Sequence, residues 1–461
     1  MLPYSPDRRT ALVFSGSGAA GLYHAGVLRA VEEAGVKVDV VAGHGAGAAS
    51  AALAAVDGAA QLTGPDGLWG RASRAGLYGW TRTVRALGWV AAALAALCVA
   101  PVILIGTALV AYPVGFLAAL VHDEAGAAIV RGYGGWLQSF FAPSGLPLVL
   151  PRLAFLVMAG LLAVLVAATV RRPPSRRLQG LVARWWGLVG GPVDAAAART
   201  HVTDALWDVV RGSGAGGPAE GGRVFADALR DNLGHPGFRE LMIVVSDLDA
   251  RRDVVAGLLR PPFHAAFTAA RADVDRAAEI IDLAGSGKAL ALDIVGAALT
   301  LPGVCDPQVV TFGLDSYWQG EAHRMCDRPG ALVRLLAELG EAGVTQVVLV
   351  SPTAPGGGPH RLAPPRLDPR GRLGDVLRTA EASALRDAVE LLGGRFDALH
   401  VIAPEHNPLG PFDVAGAYDE LSRRHYAPEE LMRRGYEDAG RQFIEPVVGA
   451  SGEHLGHPAR G

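Results

Sequence analysis

From Leu87 to Val121 the chain carries no charged residue, and this run limits its fold more than any other feature. It reads "LGWVAAALAALCVAPVILIGTALVAYPVGFLAALV", longer than the roughly 20 apolar residues that cross a bilayer. Pro101 and Pro113 can kink or end a helix within it. A second apolar run, Leu153–Val170, approaches the lower length limit for a span, and Val149 and Leu150 can extend it. Arg71, Arg74, Arg82 and Arg85 precede the first run, and Arg171, Arg172, Arg176 and Arg177 follow the second. The stretch His122–Pro151 between them holds Asp123, Glu124 and, of basic residues, only Arg131. Basic flanks stay cytoplasmic. Two spans, at about 87–112 and 150–170, therefore place both flanks on one side and the intervening loop across the membrane. The 87–121 run fits either one span or a kinked pair. This predicts a multi-pass protein of the inner, cytoplasmic membrane. The segment "RRLQGLVARWWGLVGG" after it, with Trp185 and Trp186, suits either an interfacial helix or an ordinary surface helix.

The remaining sequence is globular in pattern. The 461 residues are 50% hydrophobic with a net charge of −3 and a mean hydropathy of +0.27. That charge gives no case for nucleic-acid binding. Three cysteines, Cys98, Cys305 and Cys326, lack metal-site or disulfide spacing, so no metal is expected. No secretory signal pattern is evident near Met1, which leaves the N-terminal part cytoplasmic by expectation. Residues 1–70 and 191–461 are expected to complete one domain, with 71–190 inserted as a membrane hairpin and its flanks. Apolar runs "ALVFSG", "VDVVAG", "ELMIVVSDL", "ALALDIV", "TQVVLVSP" and "FDALHVIAP" read as strands. Helical patterns such as "ALVRLLAELGEAG" and "EASALRDAVELLGG" separate several of them. Strands alternating with helices predict an α/β sheet covered on both faces. Two Pro/Gly-rich stretches, 212–222 and 353–374, read as excursions from that domain.

Three patches carry chemistry. Gly16-Ser17-Gly18-Ala19-Ala20-Gly21 ends a strand and leads into "LYHAGVLRAVEE". Gly43-His44-Gly45-Ala46-Gly47 sits at a second strand-to-helix turn, and "LPGVCDPQVVTFGLDSYWQGEA" follows much later. In this order the patches resemble the patatin-like phospholipases. The resemblance covers most of the chain outside 71–190, with "IVVSDLDARRDVV" and "IAPEHNPLGPFDVAGAYDE" adding to it. It implies a patatin-like three-layer sandwich, into which the transmembrane helical hairpin read from the apolar runs is inserted, and a Ser–Asp dyad that cleaves lipid esters. A serine on a sharp elbow attacks, a carboxylate takes its proton, and N–H groups of a glycine-rich loop hold the oxyanion.

Against that pattern, the nucleophile position is Gly45 and the acid position, aligned on "YWQGEA", is Gln319. Ala20 replaces the basic residue usual in the oxyanion loop. The reading is a membrane-anchored patatin-like pseudoenzyme that binds a membrane lipid or acyl chain, with a protein partner or homo-oligomer also open and no cofactor. Gly16, Ser17, Gly18, Gly21 and His44 are its candidate ligand-binding residues. The alternative is an active lipid acyl hydrolase with a displaced nucleophile. For it, Ser15 and Ser17 lie in the glycine-rich loop itself and Ser50 more than one helical turn past the elbow, His44 can serve as a base but has no partnered nucleophile in the sequence, and Asp247, Asp249, Asp315 and Glu321 are candidate carboxylates. His24, on the first helix, reads as structural. Gly16–Gly21 also matches the dinucleotide pattern G-x-G-x-x-G, with Asp39 near the distance of a ribose-binding acid, a weak signal by itself. Small residues Gly88, Ala92, Ala95, Ala96 and Gly106 leave helix-on-helix assembly open as well.

Overall fold

Thr10–Phe14 (β1) is buried at every position, as a strand covered on both faces must be. In the computed structural model it lies near the middle of a nine-stranded mixed sheet. The structure describes residues 3–63, 67–69, 77–145, 149, 152–160, 162–163, 190–210, 221–269, 278–314, 316, 318–353, 369–404, 417–418 and 425–449. The chain forms two compact units, Met1–Gly79 with Val193–Gly461, and Trp80–Pro192.

In the first unit the other strands are β2 (Val40–Gly43), β3 (Glu240–Asp247), β4 (Arg252–Leu258), β5 (Ala278–Asp282), β6 (Gln308–Thr311), β7 (Ala322–Cys326), β8 (Gln346–Val350) and β9 (Ala398–Ile402). Their order is β9-β8-β1-β2-β3-β4-β5, with β7 paired to β3 and to β6. From β9 to β3 every pairing is parallel, and β4 runs antiparallel to β3. The parallel core therefore joins strands from before and after the inserted unit. Its α-helices of eight or more residues are α1 (Gly21–Glu33) and α2 (Ala46–Ala55) before the insertion. After the second unit's three helices, numbered α3–α5 below, come α6 (Ala196–Val210), α7 (Gly221–Asn232), α8 (Ala291–Ala298), α9 (Ala331–Glu341), α10 (Pro369–Leu392) and α11 (Pro428–Ala439).

Alternation along the strands sorts their side chains between two helical layers. Ala11 and Val13 of β1 share a core with Leu332, Leu335 and Leu336 of α9 and Leu385 of α10. Phe14 points the other way, its ring 5.1 Å from that of His24 on α1. The apolar spacing of α9 matches this one-sided burial. α2 is small and buried throughout, and lies so close to β1 that a Cβ at Gly47 would sit 2.0 Å from the Phe14 carbonyl oxygen. α1 packs equally closely on α11, where a Cβ at Gly26 would lie 1.8 Å from the Met432 carbonyl oxygen and one at Gly435 2.3 Å from that of Tyr23.

The segment "ALALDIV" is not a strand. Ser286–Leu290 is a 3-10 turn and Ala291–Ala298 is helix α8. A short apolar run suits a buried helix as well as a buried strand. Here Ile294, Val295, Ala297 and Ala298 are buried while Leu292 and Asp293 are only partly so, a helical pattern. The strands β4 to β7 lacked a pattern strong enough to be expected.

In the second unit, α3 (Arg82–Gly106) and α4 (Ala108–Val121) run on through Thr107. Among the described residues this stretch is the one helix long and apolar enough to cross a membrane by length and composition. It is uncovered, with Leu109 81% and Val121 83% exposed. The chain then reverses at His122, whose backbone is extended, and α5 (Asp123–Phe140) packs back along α4. The Tyr133 hydroxyl donates to the Leu104 carbonyl at 3.0 Å, and a Cβ at Gly126 would lie 2.5 Å from the Gly115 carbonyl oxygen. Much of the stretch expected as a loop between two spans is thus helix α5. Asp123 and Glu124 in its first turn favour that start through the helix dipole. The expected second span at 150–170 is helical over residues 152–160 and 162–163, and its end lies outside the described residues. So do most of 212–222 and 353–374 and the segment with Trp185 and Trp186.

Gly26→Leu is expected to force α1 from α11 and to lower stability by about 1–3 kcal/mol, the usual cost of overpacking. A fall in the thermal unfolding midpoint of the purified chain is the check.

Candidate functional site

Parallel strands β1, β2 and β8 end together, where α/β sheets generally place their sites. β1 runs into Ser15, whose N–H donates to the Val350 carbonyl at 2.9 Å, and then into the glycine-rich loop. Gly16 has φ +128°, in the region glycine alone enters readily. Its carbonyl accepts the Ala46 N–H at 2.9 Å, tying this loop to the start of α2. Gly45, between β2 and α2, has φ +59° and ψ −135°. It forms a sharp strand-to-helix turn of the kind that presents a catalytic serine.

Nothing is presented at this elbow, because Gly45 has no side chain. The space is also filled. A Cβ there would lie 2.6 Å from the Gly16 carbonyl oxygen, 2.9 Å from Ser17 Cα and 2.9 Å from Asp327 Oδ2. The carboxylate that meets the elbow is therefore Asp327, at the end of β7, and not residue 319. Gln319 lies in the turn between β6 and β7, its N–H donating to the Ser316 carbonyl at 3.2 Å. A carboxylate thus stands at the elbow, supplied by Asp327 rather than from the Gln319 position that the motif alignment marks as the vacant acid.

Asp327 is fully buried and uses both oxygens. Oδ1 lies 3.1 Å from His44 Nδ1, and Oδ2 accepts a short hydrogen bond from the Ser17 hydroxyl. The other His44 nitrogen, Nε2, lies 3.0 Å from Ser15 Oγ. Ser17 N–H donates to Glu381 Oε1 of α10 at 2.7 Å, and Thr353 Oγ1 donates to Glu381 Oε2 at 3.1 Å. Burial opposes charge on the His44 imidazole, but Asp327 beside it outweighs burial and Glu381 adds to it, so the net shift is upward. Burial pushes the Glu381 carboxyl above the usual carboxylate range, against the hydrogen bonds from Ser17 and the nearby His44. Ser15, Ser17, His44 and Asp327 are each at most 5% exposed. The group is thus a closed polar network with serine, imidazole and carboxylate in hydrogen-bonding sequence.

Of the candidate ligand-binding residues, Gly16, Ser17 and His44 meet at this network. Gly18, also at positive φ, begins the 3-10 turn that follows. Gly21 starts α1 and is pressed against Trp69, where a Cβ would lie 1.8 Å from the indole ring. His24 stands apart: its Nε2–H donates to the Ser15 carbonyl at 3.0 Å, its Nδ1 meets Ser50 Oγ at 3.2 Å, and burial pushes its pKa down to about 3. It is a neutral brace. Asp247 accepts the N–H groups of Asp249 and Ala250 and pairs with His323 at 2.5 Å. Asp249 pairs with Arg324, and Glu321 meets His323. None of these three touches Asp327. Asp315 lies outside the described residues. Asp39 accepts the Thr10 N–H at the start of β1, the opposite end of the strand from the glycine-rich loop. That position does not suit a ribose-binding acid. Among the described residues no cluster of His, Cys, Asp and Glu suits a metal ion.

A glycine-rich loop, a strand-to-helix elbow and a buried carboxylate thus meet in one place. Residues 12–64, which hold β1, the loop, α1, β2, the elbow and α2, match the family model for patatin-like phospholipases. The chain is thus patatin-like through the segment that builds the elbow. A search of curated proteins gives no match. Among solved structures one match is VipD from Legionella pneumophila, at 12% identity and a TM-score of 0.30, over 96% of this chain and 67% of that one.

Gly45→Ser is expected to destabilise the chain by about 1–3 kcal/mol, because its Cβ meets backbone and carboxylate oxygens at once. Thermal unfolding reads this directly. The raised His44 pKa sets a second expectation. The stability it contributes is fully present below the ordinary histidine pKa of about 6.5 and is lost as pH rises through the folded value. His44→Gln is therefore expected to lower the unfolding midpoint more at about pH 5 than at about pH 9. A penalty that is constant with pH would overturn the charged His44–Asp327 pair.

Proposed function

We propose that this chain is a membrane-anchored patatin-like protein that binds a lipid or acyl chain without cleaving it. The observation that carries the reading is the elbow: Gly45 supplies no attacking atom, and Gly16, Ser17 and Asp327 fill the space a serine side chain needs. A covalent acyl intermediate requires a nucleophile within reach of both a base and oxyanion donors. The Ser17 N–H, a natural donor to an oxyanion, is already engaged by Glu381. The membrane part rests on the uncovered apolar stretch Arg82–Val121, 40 residues long, with basic residues at Arg82 and Arg85 on its N-terminal flank. By the charge rule that flank, and the patatin-like unit with it, lies on the cytoplasmic side of the inner membrane.

A second reading has its own observation. Ser15 Oγ, His44 and Asp327 stand in the order of a nucleophile, base and acid, and Ser17 bonds Asp327 directly. Either serine then acts as a displaced nucleophile in a lipid acyl hydrolase.

Purified full-length protein in detergent is expected to hydrolyse neither p-nitrophenyl butyrate nor a phospholipid above a heat-inactivated control. Turnover that disappears in Ser15→Ala or Ser17→Ala, with fluorophosphonate labelling of that serine, would establish the second reading instead. In cells the chain is expected to stay in the membrane fraction after alkaline carbonate extraction. Its release by that wash would overturn the anchored reading.

A further inference from the structure

Glu381 is a carboxylate held where a ligand's carboxylate would be held. Its two oxygens are taken by two donors on different segments: Oε1 by the backbone N–H of Ser17, at 2.7 Å, and Oε2 by the hydroxyl of Thr353, at 3.1 Å. Both donors are fixed independently of Glu381. Ser17 is anchored through its own hydroxyl to Asp327, and the Thr353 N–H donates to Ser351 Oγ at 3.2 Å. The imidazole of His44, drawn towards its charged form by Asp327, adds a favourable field, whereas Asp327 itself opposes a second negative charge nearby. Glu381 is 8% exposed and Thr353 4%, so water does not compete strongly at the contact. A buried carboxylate is costly unless its oxygens are satisfied; the two donors offset part of that cost, and burial still holds the Glu381 carboxyl above the usual carboxylate range.

We propose that Ser17 N–H and Thr353 Oγ1–H form a binding site for a carboxylate, which Glu381 occupies from within and which a free carboxylate enters when Glu381 is withdrawn. The site offers one donor to each of two oxygens, so a planar two-oxygen anion matches it better than a tetrahedral one. In the native chain Glu381 competes with any such ligand and keeps the glycine-rich loop closed. The inference goes beyond the proposed function and does not depend on whether the chain cleaves esters.

The experiment is anion rescue of Glu381→Ala in the full-length protein in detergent micelles. Thermal unfolding is followed in sodium acetate, sodium phosphate and sodium chloride at matched ionic strength. Acetate is expected to raise the midpoint of Glu381→Ala saturably, by at least about 2 °C over chloride, through binding to the folded state. Wild type and Glu381→Gln, whose seats are filled by a side chain, are expected not to respond. Should Glu381→Ala fold poorly in chloride, recovery of soluble folded protein in acetate takes the place of the midpoint as the readout. Equal responses in all three proteins, no response in Glu381→Ala, or rescue by phosphate as strong as by acetate would each overturn the proposal. These readouts report folding, so they fail or succeed separately from the esterase assay.

Discussion

The buried carboxylate of Asp327 is the interaction on which this site depends. Its oxygens reach the glycine-rich loop through Ser17 and the elbow through His44, and its own N–H is tied to the Thr300 carbonyl at 2.9 Å. A charge removed from water this completely survives only if every oxygen is engaged. That demand fixes the positions of the loop, the elbow and the end of β7 relative to one another. It also accounts for glycine at 45, since the carboxylate takes the volume a side chain would use.

The same constraint governs what the glycine-rich loop can do here. In a hydrolytic site of this class, backbone donors wait for charge to develop on a substrate. In this chain a donor of the loop is already bonded to Glu381 and the acid already bonded to Ser17 and His44. The Ser17 N–H is spent on an internal partner, and the network around it is buried. The carboxylate that meets the loop's Ser17 N–H is part of the protein itself.

Most of the fold was legible in local sequence. The strands β1, β2, β3, β8 and β9 and helix α9 follow from apolar runs, period and glycine stops, which act over a few residues. The errors have physical causes. "ALALDIV" became α8 because a short apolar run satisfies burial in either conformation. His122 was expected to open a loop, yet Asp123 and Glu124 start helix α5 and the close contact of Gly126 with α4 holds it there. At the site, Gly16, Ser17, Gly45 and His44 were visible because they sit in glycine-rich turns. Asp327 had only a short strand before it, and Glu381 sits in a helix rich in other charged residues, so neither carried a local signal.

The sequence by itself determined that a strand, a glycine-rich loop, a helix, a second strand and a serine-less elbow follow one another, and that an uncharged stretch lies beyond them. Backbone conformation and side-chain chemistry at each position suffice for that. Only the tertiary structure decided which carboxylates face the elbow. Asp327 lies 283 residues from His44, and Glu381 lies 364 residues from Ser17. What selects them is the parallel order of the sheet, which brings distant strand ends together, and the requirement that buried charges find partners.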